Sequence, residues 1–251
     1  MSKFDNIKWF HTMELNGFTT KGLCDWRPYK HLFFLDNVKN SSVLDVGAGD
    51  GYFSFEMEKK GAKVTATEID SQLSRDNYNF GVENINSTHS LSEGYNFKTA
   101  RDTLGSEVEL ITSNIYSLDK DINKKFDFVF CSDVIMHLTD PIRALKNIYK
   151  ISNRYLILGN PIYYITFRGL GFKKGVQNIF KKFIFQFFKN DPYIFYQGHT
   201  NRNIFWLPTV KGLEKMINSC GFKIINKNVF FTKKDHHISP QKRIVILAEK
   251  I

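Results

Sequence analysis

Cysteine is scarce and scattered: Cys24, Cys131 and Cys220 are odd in number, far apart and without C-x-x-C spacing. This argues against a disulfide framework and indicates no zinc site, so three reduced thiols and no bound metal are expected. Long apolar runs are missing as well, none reaching the ~18 residues of a membrane span. The opening MSKFDNIKWFHTMEL has no apolar stretch of signal-peptide type, and a cytoplasmic location is the expectation. Acidic residues are outnumbered, 25 against 35 Lys and Arg, which leaves a net charge of +10. That balance permits a polyanionic partner without requiring one, because a chain rich in Lys, Asn, Ile and Phe becomes basic on its own. What the chain does have is a core: 251 residues, 42% hydrophobic and 24% charged, suffice for one domain with an insertion and exclude disorder.

The organising stretch is Val43 to Asp70, VLDVGAGDGYFSFEMEKKGAKVTATEID. Val43–Val46 reads as a buried strand, Gly47-Ala48-Gly49-Asp50-Gly51 as a tight turn, Tyr52–Lys60 as a helix and Val64–Thr67 as a second strand ending in an acid. Glycines at 47, 49 and 51 let the backbone turn sharply and approach a ligand that sits over the helix N-terminus. Glu68, about 20 residues on, stands where such βα units place a carboxylate on ribose hydroxyls. A dinucleotide fold wants G-x-G-x-x-G around its pyrophosphate. Here the loop is G-x-G-x-G flanked by Asp45 and Asp50, and two carboxylates repel a pyrophosphate. They suit a ligand carrying an ammonium and a sulfonium.

The pattern E/D-x-G-x-G-x-G with a downstream acid resembles the class I S-adenosylmethionine-dependent methyltransferases. The run Trp9-Phe10-His11-Thr12-Met13-Glu14-Leu15 and the closing W-L-P…G-F…K-R-x-V-x-L-A further resemble the family similar to the bacterial tRNA wobble-uridine (5-oxyacetate pathway) methyltransferases. The resemblance implies S-adenosyl-L-methionine as cofactor, held by Asp45, Gly47, Gly49, Asp50, Gly51, Glu68 and Ile69. Asn114 and Ile115, after a third strand at 108–112, would hold the adenine, although an Asx-turn explains Asn114 equally well. Ser132 ends the fourth strand, 126–131, and opens the loop SDVIMHLTD on the ligand-binding side of the sheet. His137 in that loop and His11 in the leading arm are the candidate catalytic residues, each with an alternative structural role. Trp9, Met136 and Arg243 are the candidate acceptor-side residues; Trp9 reads equally as core.

The expected fold is α/β: a Rossmann-like seven-stranded, mostly parallel sheet with helices on both faces and an antiparallel C-terminal hairpin (222–231 with 243–248). Residues 1–41 form an aromatic arm with a short helix near 28–35, and 42–251 the catalytic domain, interrupted by a basic, aromatic, lid-like insertion at 160–205. Within it, apolar residues from Phe172 to Phe188 recur at helical spacing among five lysines. A lid with its lysines in water is the preferred reading over a helix for RNA or a membrane surface.

Three functions compete. A nicotinamide oxidoreductase lacks its loop and catalytic residues here, and a non-catalytic RNA-binding module would not need Glu68. Methyl transfer remains. In the carboxymethyl-transferring relatives, the resemblance implies, a Tyr before the loop histidine, a Lys in the arm and an Arg in the last strand read the carboxylate of a modified cofactor. Here the Tyr position is Met136, the Lys is unmatched and Arg243 alone stands. Unmodified S-adenosylmethionine and a small-molecule acceptor, a sugar or other metabolite, are therefore expected, with tRNA as the alternative.

Overall fold

The computed structural model describes residues 4, 6–69, 94–163, 191–197, 204–233 and 241–251. The basic helix expected from Phe172 to Phe188 lies outside the described residues. The arm opens with a two-residue hairpin, β1 (Glu14–Leu15) and β2 (Phe18–Thr19), followed by two short 3-10 helices, Arg27–Leu32 and Leu35–Val38. Pro28, the second residue of the first of these, has its φ preset for the turn, and the single helix expected over 28–35 is broken at Phe34, whose φ is +57°.

The domain then runs β3 (Ser42–Val46), α1 (Tyr52–Lys59), β4 (Lys63–Glu68), α2 (Tyr95–Leu104), β5 (Glu109–Thr112), α3 (Leu118–Asp121), β6 (Phe126–Ser132), α4 (Pro141–Ile151) and β7 (Ser152–Pro161). A small hairpin of β8 (Ile194–Tyr196) and β9 (Trp206–Pro208) precedes α5 (Val210–Ser219), β10 (Phe222–Phe231) and β11 (Lys242–Lys250). Seven strands form one sheet in the order β10-β11-β7-β6-β3-β4-β5. The five from β7 to β5 are parallel, and β11 runs antiparallel to both β7 and β10. The expected seven-stranded mixed sheet and its C-terminal hairpin are thus present. β10 has the expected bounds, and β11 is longer than the expected 243–248 because its pairing extends over Lys242, Glu249 and Lys250.

Central strands are apolar on both sides because helices cover both faces. On one face α4 buries Ala144, Leu145, Ile148 and Ile151 at helical spacing, joined by Leu213 and Ile217 of α5. Asp140 caps α4 by accepting from Arg143 N at 2.9 Å, and Pro141 occupies its first turn. On the other face, Phe53 and Phe55 of α1 and Phe97 of α2 meet the arm. Phe53 lies 4.6 Å from Phe33 and 4.9 Å from Phe130, centroid to centroid. The eight-residue α1 is too short to persist by itself and is held by this aromatic packing. Trp9, Met13, Leu15 and Trp26 belong to the same core, so the arm is built into the domain.

Candidate active site

The turn between β3 and α1 follows from its glycines. Gly47, Gly49 and Gly51 have φ of +72°, +59° and +91°, and a Cβ at Gly51 would stand 2.6 Å from Phe55. Gly47 N and Ala48 N both donate to Thr67 O, at 2.9 and 3.0 Å, which stitches the turn to β4. Glu68 closes the arrangement. Its Oε2 accepts from Gly49 N at 2.8 Å and its Oε1 from Ile69 N at 3.1 Å. A carboxylate oxygen accepts more than one hydrogen bond, so half-buried Glu68 keeps a lone pair on each oxygen for a pair of vicinal hydroxyls. A ribose and a positively charged ligand fit this donor and acceptor set.

Asp45 lies under the turn, 2% exposed, with Ser54 Oγ donating to Oδ2 at 2.6 Å. Burial pushes its pKa up to about 7, the Ser54 bond opposing and the charge of Glu68 adding to the rise. Asp50 differs from expectation. Fully buried, it accepts from Phe10 N and His11 N on Oδ2 and from Asn96 Nδ2 on Oδ1, so its carboxylate holds the arm rather than facing the ligand.

His11 is thereby set against the turn: the Cβ of a side chain at Gly49 would lie 3.4 Å from its Cε1, and its ring centroid is 6.0 Å from that of Tyr52. Trp9, in contrast, is 2% exposed and packs edge-on to Phe4, a core aromatic rather than a pocket wall. Asn114 forms the Asx-turn, its Oδ1 accepting from Tyr116 N at 3.0 Å, and Ile115 is buried on the helical side of the sheet. Asn114 is half-buried and its Oδ1 keeps a second lone pair, while Ile115 is 5% exposed.

Beyond β6, Asp133 has φ of +61°, and His137 ends a 3-10 turn, Ile135–His137, that is half-buried. Met136 is 8% exposed, and its carbonyl accepts from Phe205 N at 2.9 Å. Trp206 Nε1 donates to Leu138 O at 2.8 Å, so the end of the insertion is tied to this loop. Arg243, 1% exposed, is not free to read a ligand: its Nη2 ion-pairs with Asp133 Oδ1, its Nη1 donates to Gln241 at 2.9 Å, and its guanidinium stacks 4.7 Å from Trp26. Burial works against its charge, and the carboxylate in contact supports it.

Sequence reading missed Asp133, Asn96 and Tyr52. Ser132 Oγ and Tyr52 Oη are buried without a hydrogen-bond partner in the protein. Among the described residues no group of His, Cys, Asp and Glu could hold a metal, and no helix is long and apolar enough to cross a membrane.

Comparison with known proteins agrees with this geometry. Residues 18–161 match the model of a family described as methyltransferase domain. A tRNA U34 carboxymethyltransferase of Vibrio campbellii is 24% identical over 235 residues, 89% of this chain and 60% of the relative. A ubiquinone biosynthesis O-methyltransferase of Xanthomonas axonopodis pv. citri is 27% identical over 158 residues, 56% of this chain and 58% of the relative. The chain thus spans about 60% of the length of these curated relatives. Among solved structures, the N-terminal domain of EvdMO1 with SAH bound superposes with a TM-score of 0.60 at 14% identity, over 97% of this chain and 92% of that one. The Burkholderia thailandensis 1,6-didemethyltoxoflavin-N1-methyltransferase, with its substrate and S-adenosylhomocysteine, gives 0.57 at 13% identity, over 89% and 77%. At these identities the structural likeness establishes the fold.

Two expectations follow. A role for Glu68 as the charged acceptor of two ribose hydroxyls predicts that Glu68→Ala weakens binding of S-adenosylhomocysteine, measured by calorimetry, by roughly 1.5–3 kcal/mol; equal binding by a folded variant contradicts the assignment. Asp45 has a folded pKa above its unfolded value, so its contribution to stability is complete below the unfolded pKa and is lost as pH rises through about 7. Melting temperatures from pH 4 to 8 should therefore fall for the wild type relative to Asp45→Asn, and parallel curves would contradict the burial argument.

Proposed function

The chain belongs to the S-adenosylmethionine-dependent methyltransferase family whose domain its residues 18–161 match, and on that premise we propose that it methylates a small molecule at oxygen or nitrogen, using the unmodified cofactor. The observation that carries the cofactor choice is the Asp133–Arg243 pair. A carboxylated cofactor needs a cation at the transferring end, and the cation that the resemblance offers there is neutralised by an internal carboxylate. With Met136 in place of a hydroxyl donor, a ligand carboxylate would be buried without partners, which is costly. A small acceptor is supported by the arm, whose aromatic residues pack in one core with α1 and which is bonded to the cofactor turn at Asp50.

The cofactor supplies an electrophilic methyl group on a sulfonium. The chain's own contribution is to align and to exclude water: Glu68 takes the ribose hydroxyls, Gly47, Gly49 and Gly51 give close backbone approach, and the arm roofs the site. For a protonated acceptor, His137 or His11 takes the proton, the two imidazoles being the bases that the loop after β6 and the arm bring toward the carboxyl end of the sheet. The relatives that act on tRNA motivate the competing reading, with the basic residues of the insertion as its contacts.

One experiment separates the two. Competition binding should favour S-adenosylmethionine over its carboxylated analogue by at least about tenfold, the equivalent of ~1.4 kcal/mol. Methyl-labelled cofactor should then mark a small-metabolite extract and leave total tRNA unlabelled. Tighter binding of the carboxylated form, or label in tRNA, overturns the proposal in favour of the wobble-uridine reading.

A further inference from the structure

The arm is a tight unit. Thr12 N donates to Cys24 O at 2.8 Å, Cys24 N to Phe10 O at 2.9 Å, and Thr20 Oγ1 to His11 O at 2.7 Å. Gly22 lies so close that a Cβ there would stand 2.1 Å from His11 C. Residues 10–24 therefore form a small, internally bonded unit packed into the core through Met13, Leu15 and Cys24. Asp50 gives it a polar attachment to the cofactor turn. Asp50 Oδ2 takes both Phe10 N and His11 N, and Asn96 Nδ2 bridges Asp50 Oδ1, at 3.2 Å, to Lys8 O, at 3.0 Å. Asp50 sits between Gly49, whose N–H is held by Glu68, and Gly51, the residue before α1. The chain of contacts runs Glu68, Gly49, Asp50, His11.

We propose that Asp50 is a positioning residue that latches the arm to the cofactor turn, so that cofactor binding at Glu68 and placement of His11 over the turn are coupled. The proposal rests on the reading of this turn as the cofactor site. The physical reason is that Gly49 and Asp50 share one short backbone segment with positive φ at Gly49 and Gly51. A ligand that fixes Glu68 and Gly49 fixes the direction of the Asp50 carboxylate, and a fixed acceptor holds two buried N–H donors more tightly than a mobile one. By reciprocity, an arm held in place favours the ligand. His11 acts in the acceptor site through this placement. The latch adds a backbone anchor at His11 to the ring contacts it makes with Tyr52 and Phe53.

Hydrogen exchange at the Phe10 and His11 amides reads the latch directly, in wild type, Asp50→Ala and Asp50→Asn, each with and without S-adenosylhomocysteine. In the free wild type both amides should be protected. Asp50→Ala should exchange at least about tenfold faster at these two positions, with amides of β3 and β6 unchanged. Asp50→Asn keeps one carboxamide oxygen for the two donors and should recover part of the protection, which a merely space-filling role would not predict. S-adenosylhomocysteine should slow exchange at both amides in wild type and leave Asp50→Ala unaffected at them. Unchanged protection in a folded Asp50→Ala overturns the latch. Calorimetric binding of S-adenosylhomocysteine with no slowing at residues 10 and 11 overturns the coupling while leaving the cofactor site intact, and no heat of binding in wild type overturns both.

Discussion

One hydrogen bond ties the architecture to its chemistry: the N–H of Gly49 donating to Glu68 Oε2 at 2.8 Å. It joins the turn after β3 to the last residue of β4, and glycine adopts the φ of +59° at position 49 without steric cost. The parallel register of β3 and β4, Val46 opposite Thr67, brings the two loops level, and the stitching of Gly47 and Ala48 to Thr67 O keeps them so. A carboxylate fixed in this way is preorganised toward hydroxyls, because it need not be ordered when a ligand arrives.

Around this point the protein spends buried charge unusually freely. Asp45, Asp50 and Arg243 are each 2% exposed or less, and each is answered differently. Asp50 is satisfied by backbone and carboxamide donors, Arg243 by an opposing carboxylate and an aromatic face, and Asp45 by the hydroxyl and backbone N–H of Ser54. Burial raises the pKa of Asp45 to about 7 and lowers that of Arg243 to about 9. The buried ion pair is poor evidence for added stability, since replacing such pairs by apolar residues is often neutral. Its effect lies in what it denies: a guanidinium answered from within the fold is not available to a ligand.

Much of this was legible in the sequence. The strand, turn, helix and acid from Val43 to Glu68 are local, and period, glycine placement and the position of the acid suffice to read them. The cap at Asp140 and the Asx-turn at Asn114 are local too. Tertiary partners were not legible. Asp133 and Arg243 are separated by 110 residues, and Asp50 and His11 by 39, so no spacing rule connects them. Asp50 in a glycine turn reads as a ligand contact until the arm is seen to occupy it. Trp9 could not be assigned to core or pocket by type, because an aromatic serves either, and its burial decides.

The central claim is that the turn from Gly47 to Gly51 and Glu68 form the cofactor site. The most direct test is a nuclear magnetic resonance titration of the amide-labelled protein with S-adenosylhomocysteine. The account predicts that the amides of Gly47, Gly49 and Ile69 shift first and saturate at one equivalent. Shifts confined to other surfaces, such as the cleft of α5 and β10 lined by Glu214, Asn218 and Lys227, with the glycine turn unmoved, would contradict it.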